Sequence, residues 1–151
     1  MAENQQPISG SCLCGRVQFE VARLTGPFEL CHCSRCRKVT GSAYAATVGA
    51  QAEDFRFLCG EEAIRSISLP VRDRPPAYGL SFCGECGSAL PSPPESGHFE
   101  IPAGLLDDDP GLVPDKHIYV EHNAPWHAIT DDLPRFTAAE IAAHRAGLEK
   151  P

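Results

Sequence analysis

Cys12-Leu13-Cys14-Gly15-Arg16-Val17-Gln18-Phe19-Glu20-Val21 holds the two features on which the fold turns. Two thiols stand one residue apart, and directly after them Val17, Phe19 and Val21 alternate with Gln18 and Glu20. Period-2 alternation reads as a strand with one buried face. In an extended chain residues i and i+2 face the same side, so Cys12 and Cys14 can offer two sulfurs to one ion. A second pair, Cys83-Gly84-Glu85-Cys86, stands about 70 residues further on, again beside an alternating run of Tyr78, Leu80 and Phe82. Gly84 and Gly87 give that turn the backbone freedom a tight knuckle needs.

Between the pairs lies a third cluster, Cys31-His32-Cys33-Ser34-Arg35-Cys36, with three thiols in six residues. Four thiolates close a tetrahedral zinc site, whereas three leave a coordination position open for chemistry. The expected partition puts Cys12, Cys14, Cys83 and Cys86 on one structural zinc, whose binding energy is also folding energy. Cys31, Cys33 and Cys36 then hold a second zinc, either open or closed by a ligand from elsewhere. Cys59 and the histidines are the candidates for that ligand. Otherwise Cys59, on a lone apolar stretch, is a small buried hydrophobe. His32 is expected to point away from the metal. His98, His117, His122, His127 and His144 are scattered, although His122 and His127 flank Trp126 and suit a proton-transfer role. Trp126 itself reads as core or pocket wall.

The bulk numbers narrow the function. A chain of 151 residues reads as one domain and can bury roughly 70% of its unfolded surface, so metal is not required merely to make up for small size. The formal net charge is −7, from 13 basic and 20 acidic residues, which argues against nucleic acid as a partner. The only basic cluster, Arg35, Arg37 and Lys38, suits one small anion such as a substrate carboxylate. The N-terminus, Met-Ala-Glu-Asn-Gln-Gln-Pro, has neither the basic start nor the apolar run of a secretory signal, and no stretch approaches a membrane span. These features predict a cytoplasmic protein, where clustered cysteines are ligands rather than disulfides. The sequence leaves the oligomeric state open. Phosphate-loop and serine-hydrolase motifs are absent.

Further strands are predicted around Phe28–Cys31, Tyr44–Val48, Phe55–Leu58, Arg65–Leu69, His98–Ile101 and His117–Val120. A short helical turn from a Ser34 cap to Thr40 ends at Gly41. Thr137-Ala138-Ala139-Glu140 is a capping box that opens a C-terminal helix, with Ile141, Ala142, Arg145 and Leu148 on one side and a frayed end. Leu69–Ala77 and Pro91–Gly97 read as exposed Pro-rich loops, and Asp107-Asp108-Asp109-Pro110 as a solvated acidic turn.

These motifs together resemble a known family. Gly10-Ser11-Cys12-Leu13-Cys14-Gly15, Cys31-His32-Cys33-Ser34-Arg35-Cys36-Arg37-Lys38, Gly41-Ser42 and Phe82-Cys83-Gly84-Glu85-Cys86-Gly87-Ser88 are similar to the glutathione-dependent formaldehyde-activating enzymes, a family that includes centromere protein V-like proteins. The tail Lys116-His117-Ile118-Tyr119-Val120, Ala124-Pro125-Trp126 and Leu133-Pro134-Arg135-Phe136 extends the resemblance over residues 8–136, leaving 137–151 as a helical extension. The resemblance implies a mainly β, tent-like fold of antiparallel sheets around zinc, with the structural and catalytic ligands divided as above. It implies a carbon–sulfur lyase acting on a small thiol and an aldehyde, glutathione and formaldehyde being the family's pair. Cys59 is not part of the shared pattern. The alternative is a zinc-stapled binding or scaffold module with both metal sites closed and no turnover.

Overall fold

The computed structural model describes residues 6–70 and 77–148. Most of the predicted Leu69–Ala77 loop and the last three residues, where fraying is expected, lie outside them. Among the described residues there are eleven strands and two α-helices, a mainly β chain as expected. The described residues fall into two compact units, one drawn from the stretches before residue 27 and between 48 and 111, the other from 27–47 and the stretch after 111. Strands β3 (Leu24–Cys31) and β4 (Ala45–Gln51) carry the chain from one into the other.

In the first unit β1 (Ile8–Ser11) runs antiparallel to β2 (Gln18–Val21), which runs antiparallel to β5 (Phe55–Cys59). The predicted alternation holds: Val17, Phe19 and Val21 are fully buried while Gln18 is exposed. Phe19 lies opposite Gly10 in the register, and a Cβ at Gly10 would fall 2.2 Å from the Phe19 ring. The ring occupies the space a side chain on β1 would take. Phe55 continues the aromatic core, with its ring 5.2 Å from Phe19 and 5.3 Å from Phe99 on β9 (His98–Pro102).

A second antiparallel sheet of this unit has the order β6 (Ile64–Leu69), β7 (Tyr78–Cys83), β8 (Ala89–Leu90). Strand β7 was expected to bury Tyr78, Leu80 and Phe82, but its buried positions are Ser81 and Cys83. Ser81 tolerates burial because its hydroxyl is bonded to Ser66 Oγ at 2.8 Å and accepts from Ser92 Oγ at 2.6 Å. Pro91 is likewise buried, so the Pro91–Gly97 loop is anchored at its start. The acidic turn is also tied down. Asp108 accepts from the Ser9 amide and hydroxyl, at 2.8 and 2.6 Å, and Asp107 accepts from the Ser11 hydroxyl at 2.7 Å. These bonds hold the chain just before the first thiol pair.

In the second unit β10 (Lys116–Ile118) lies between β3 and β11 (Arg135–Phe136), parallel to both. The predicted strand His117–Val120 therefore stops early, and a 3-10 turn takes over at Val120–His122. Helix α1 (Ser34–Thr40) ends at Gly41, whose φ of 61° is the left-handed terminator expected. Its cap is Cys33 rather than Ser34. Helix α2 (Ala138–Leu148) opens on the predicted capping box: Glu140 accepts from the Thr137 amide at 2.7 Å, and its own amide donates to Thr137 Oγ1 at 3.3 Å. Of the expected apolar side, Ile141 is buried and Leu148 is exposed. Arg145 instead reaches buried Glu29 on β3, Nη2 to Oε2 2.7 Å, which pins the helix to the strand that leads to the cysteine cluster.

Candidate metal centres

The four-thiol group is built from two turns of matching design. After β1, Cys12 donates its amide to Val17 O and accepts at its carbonyl from Gly15, whose φ is 75°. After β7, the Cys83 amide donates to Ser88 O and the Cys83 carbonyl accepts from Gly87, whose φ is 78°. A glycine in the left-handed region thus follows the second cysteine of each pair, where a Cβ would be strained. Cys12 and Cys14 accordingly converge from a turn, not from the strand the sequence suggested. Ser88 Oγ joins the turns by accepting from the Leu13 amide at 2.9 Å and lying 3.3 Å from Cys86 Sγ.

The sulfurs of Cys12, Cys14, Cys83 and Cys86 all lie within 4.8 Å of one another, with Cys12–Cys14 at 3.5 Å and Cys14–Cys83 at 3.9 Å. Four thiolates at a zinc–sulfur distance of about 2.3 Å define a tetrahedron with an edge of roughly 3.8 Å. The donor set and spacing therefore fit such an ion, and every cysteine is a free thiol. Hydrogen bonds from the Ser88 hydroxyl and amide lower the Cys86 thiol to about 5. Cys14, against the pull of a backbone hydrogen bond from Arg16, is pushed up to about 12 by desolvation and the neighbouring sulfurs.

The three-thiol group belongs to the other unit. Cys31 ends β3, Cys33 caps α1 and Cys36 sits in its first turn, so a strand end and a helix start present three sulfurs within 4.8 Å of one another. Cys31 and Cys33 are buried and pack with Ile118 and Ile141. Tyr119, the one described non-glycine residue with positive φ (58°), packs against the same cluster. Close thiols cannot all ionise without a neighbouring cation. Hydrogen bonds from Cys31 and Cys36 lower the Cys33 thiol, the bond to Cys33 pushes Cys31 up to about 12, and the bonds to Cys31 and Cys33 raise Cys36. A divalent cation resolves that conflict, so this donor set also fits a thiophilic metal.

No further histidine, cysteine or carboxylate ligand atom among the described residues joins either group. Cys59, at the end of β5, is exposed rather than buried, and its thiol donates to Arg16 O at 3.7 Å. Arg35, Arg37 and Lys38 surround Cys36 on α1; Arg37 Nε is buried with no hydrogen-bond partner, and Lys38 is exposed. Trp126 is 71% exposed, which corrects its placement in the core.

Sequence reasoning missed a line of side chains behind the second group. His32 and His117 are both buried, and His32 Nε2 lies 2.8 Å from His117 Nδ1. His117 Nε2 in turn lies 3.0 Å from each carboxylate oxygen of Asp131. Around His32 stand the rings of Tyr44 at 5.4 Å and His127 at 5.9 Å, the latter stacked. Burial, reinforced by His117, lowers the pKa of His32, while Asn123 opposes the shift. His32 Nδ1 and Asn123 Oδ1 are both buried without a hydrogen-bond partner. The only signal in the sequence was the position of His32 between two cysteines of the cluster.

The sequence signature of the glutathione-dependent formaldehyde-activating enzyme family matches residues 7–122. A protein of Halomonas elongata named "Putative glutathione-dependent formaldehyde-activating enzyme" is 32% identical over 126 residues, covering 79% of this chain and 78% of its own. The crystal structure of a Rhodobacter sphaeroides protein is similar with a TM-score of 0.51 and 28% identity, covering 70% of this chain and 91% of that one. Among the described residues no helix is long and apolar enough to cross a membrane.

Proposed function

From a chain that belongs to the glutathione-dependent formaldehyde-activating enzyme family, we propose a zinc-dependent carbon–sulfur lyase acting reversibly on a small thiol and an aldehyde. Glutathione and formaldehyde are the pair the family name supplies. The observation that carries this reading is the contrast between two thiol groups in one chain, one with four sulfurs and one with three and, among the described residues, no fourth ligand atom beside them. Four thiolates saturate a tetrahedral ion; three leave room for a substrate sulfur.

In the forward direction the thiol loses its proton, the sulfur lone pair forms a bond to the carbonyl carbon, and the carbonyl oxygen takes up a proton. The product is a hydroxymethyl thioether, and the reverse breaks the same carbon–sulfur bond. Zinc bound at Cys31, Cys33 and Cys36 supplies positive charge that favours a bound sulfur as thiolate. The chain itself supplies the rest. Cys33 holds the start of α1 by accepting from the Cys36 amide at 3.3 Å, which fixes the sulfurs relative to the basic residues that follow. Arg37, whose buried Nε has no protein partner, suits a carboxylate of the thiol substrate, with Arg35 and Lys38 beside it on the same helix. His127, in ring contact with exposed Trp126 and stacked 5.9 Å from His32, is a candidate proton-transfer group.

Cobalt substitution tests the reading. Titrating the cobalt-loaded protein with glutathione is expected to change its visible spectrum in the wild type and not in Cys33→Ala. A wild-type spectrum indifferent to glutathione and to other small thiols would sink the open-site assignment.

A further inference from the structure

Only two residues, His32 and Cys33, separate the end of β3 at Cys31 from the start of α1 at Ser34. Up to Cys31 the backbone is held by the ladder, with Cys31 opposite Ile118. From Ser34 it is held by the helix. The junction carries the middle cysteine of the cluster, and its backbone is tied by the His32 amide, which donates to Ile118 O at 3.0 Å, and by the capping role of Cys33. The remaining restraint on His32 is its side chain.

That side chain is held at one ring nitrogen. His32 Nε2 lies 2.8 Å from His117 Nδ1, and His117 Nε2 lies 3.0 Å from each carboxylate oxygen of Asp131. Asp131 only accepts, and its pKa is lowered by the hydrogen bond from His117. The His117 ring therefore bridges Asp131 and His32, with Nε2 toward the carboxylate and Nδ1 toward His32.

We propose that His117 and Asp131 are positioning residues for the Cys31–Cys33–Cys36 centre: they lock His32 in one rotamer, and through it hold the strand-to-helix junction that carries Cys33. The proposal rests on the metal-centre reading above and deepens it. The His117 ring nitrogens face His32 and Asp131. His117 acts through His32, whose Cα lies about 3.8 Å from that of each flanking cysteine. Asp131, with its side chain 48% exposed, anchors the line where it meets solvent and is itself oriented by the Leu133 amide at 3.0 Å.

The test compares His117→Leu, His117→Gln and Asp131→Asn. Glutamine can accept from His32 Nε2 with its oxygen and donate to Asp131 with its nitrogen, whereas leucine does neither. In the fully cobalt-loaded protein, His117→Leu is expected to speed release of second-site cobalt to a chelator by roughly tenfold, in the range of outer hydrogen-bond partners of metal ligands. His117→Gln should restore a rate near the wild type. The four-thiol centre, made from the other unit, serves as the internal reference and should not change. Equal release rates in His117→Leu and wild type would overturn the proposal. Asp131→Asn, on the exposed end, gives the same reading if the leucine variant does not fold. A wild type that takes up only one cobalt would refute the metal reading instead. The positioning claim is then decided in the metal-free protein, where amide exchange at His32 and Cys33 should accelerate in His117→Leu but not in His117→Gln.

Discussion

Removing Cys12 and Cys14 together, by alanine substitution, is expected to open the ring that an ion shared by the four thiols would close. The chain between the two knuckles is about 70 residues long, and both knuckles belong to the same compact unit. For a cross-link over a loop of that length the chain-entropy expression gives about 4 kcal/mol at 25 °C. In a chain of this size each kcal/mol moves the melting temperature by about 2–4 °C, so the expected contribution of a metal staple is roughly 10–15 °C. Losing the buried Cys12 sulfur also costs packing, because Cys12 lies in a cluster with Val17, Ala63, Cys83 and Leu90. The assay separates the two effects. Urea or thermal unfolding is followed for wild type and for Cys12→Ala/Cys14→Ala, each with bound zinc and after chelation. The difference between the chelated proteins reports packing. The extra stabilisation that zinc gives the wild type, beyond what it gives the variant through the second centre, reports the staple. If zinc stabilises both proteins equally, the two knuckles do not share an ion, and the division of the sulfurs into four and three is wrong.

Two further outcomes are expected. Arg145→Met removes the close partner of Glu29, whose side chain is 2% exposed, and leaves only Lys116 Nζ at 3.8 Å and the strand neighbours to answer a buried carboxylate. Stability should fall by about 3 kcal/mol and recover in part in Glu29→Gln/Arg145→Met, as read by urea denaturation. The Glu140 carboxylate accepts from the Thr137 amide and hydroxyl, which hold its pKa below the usual 4.5. Its contribution to the start of α2 is therefore complete above about pH 4.5 and is lost as the pH falls through the depressed folded value. Amide exchange in the first turn of α2 should accelerate on acidification in the wild type, and in Glu140→Gln it should be independent of pH over that window.

The sulfur clusters were legible because their geometry is local. Thiols one or two residues apart converge wherever a glycine lets the chain turn, and Gly15 and Gly87 are written beside them. The alternation of Val17, Phe19 and Val21 and the Thr137–Glu140 cap were legible for the same reason, since each depends on residues within one strand or one turn. Leu80 and Phe82 misled because alternation marks a face without saying which face the neighbouring strands will cover. The hydroxyls of Ser66 and Ser92 made Ser81 the buried one. Trp126 misled because an aromatic residue carries no mark of the surface it will occupy.

What the sequence determined by itself is the sulfur chemistry: two pairs and a triplet, each set by the short reach of a cysteine side chain. What the tertiary structure decided is which distant groups stand behind the triplet. His32 and His117 are 85 residues apart and become partners only because β10 pairs in parallel with β3, setting His117 opposite Leu30. Asp131 joins them from a loop that no periodicity marks. Hydrogen bonds between such positions depend on strand register, which is fixed by the packing of the whole unit rather than by any stretch of the chain.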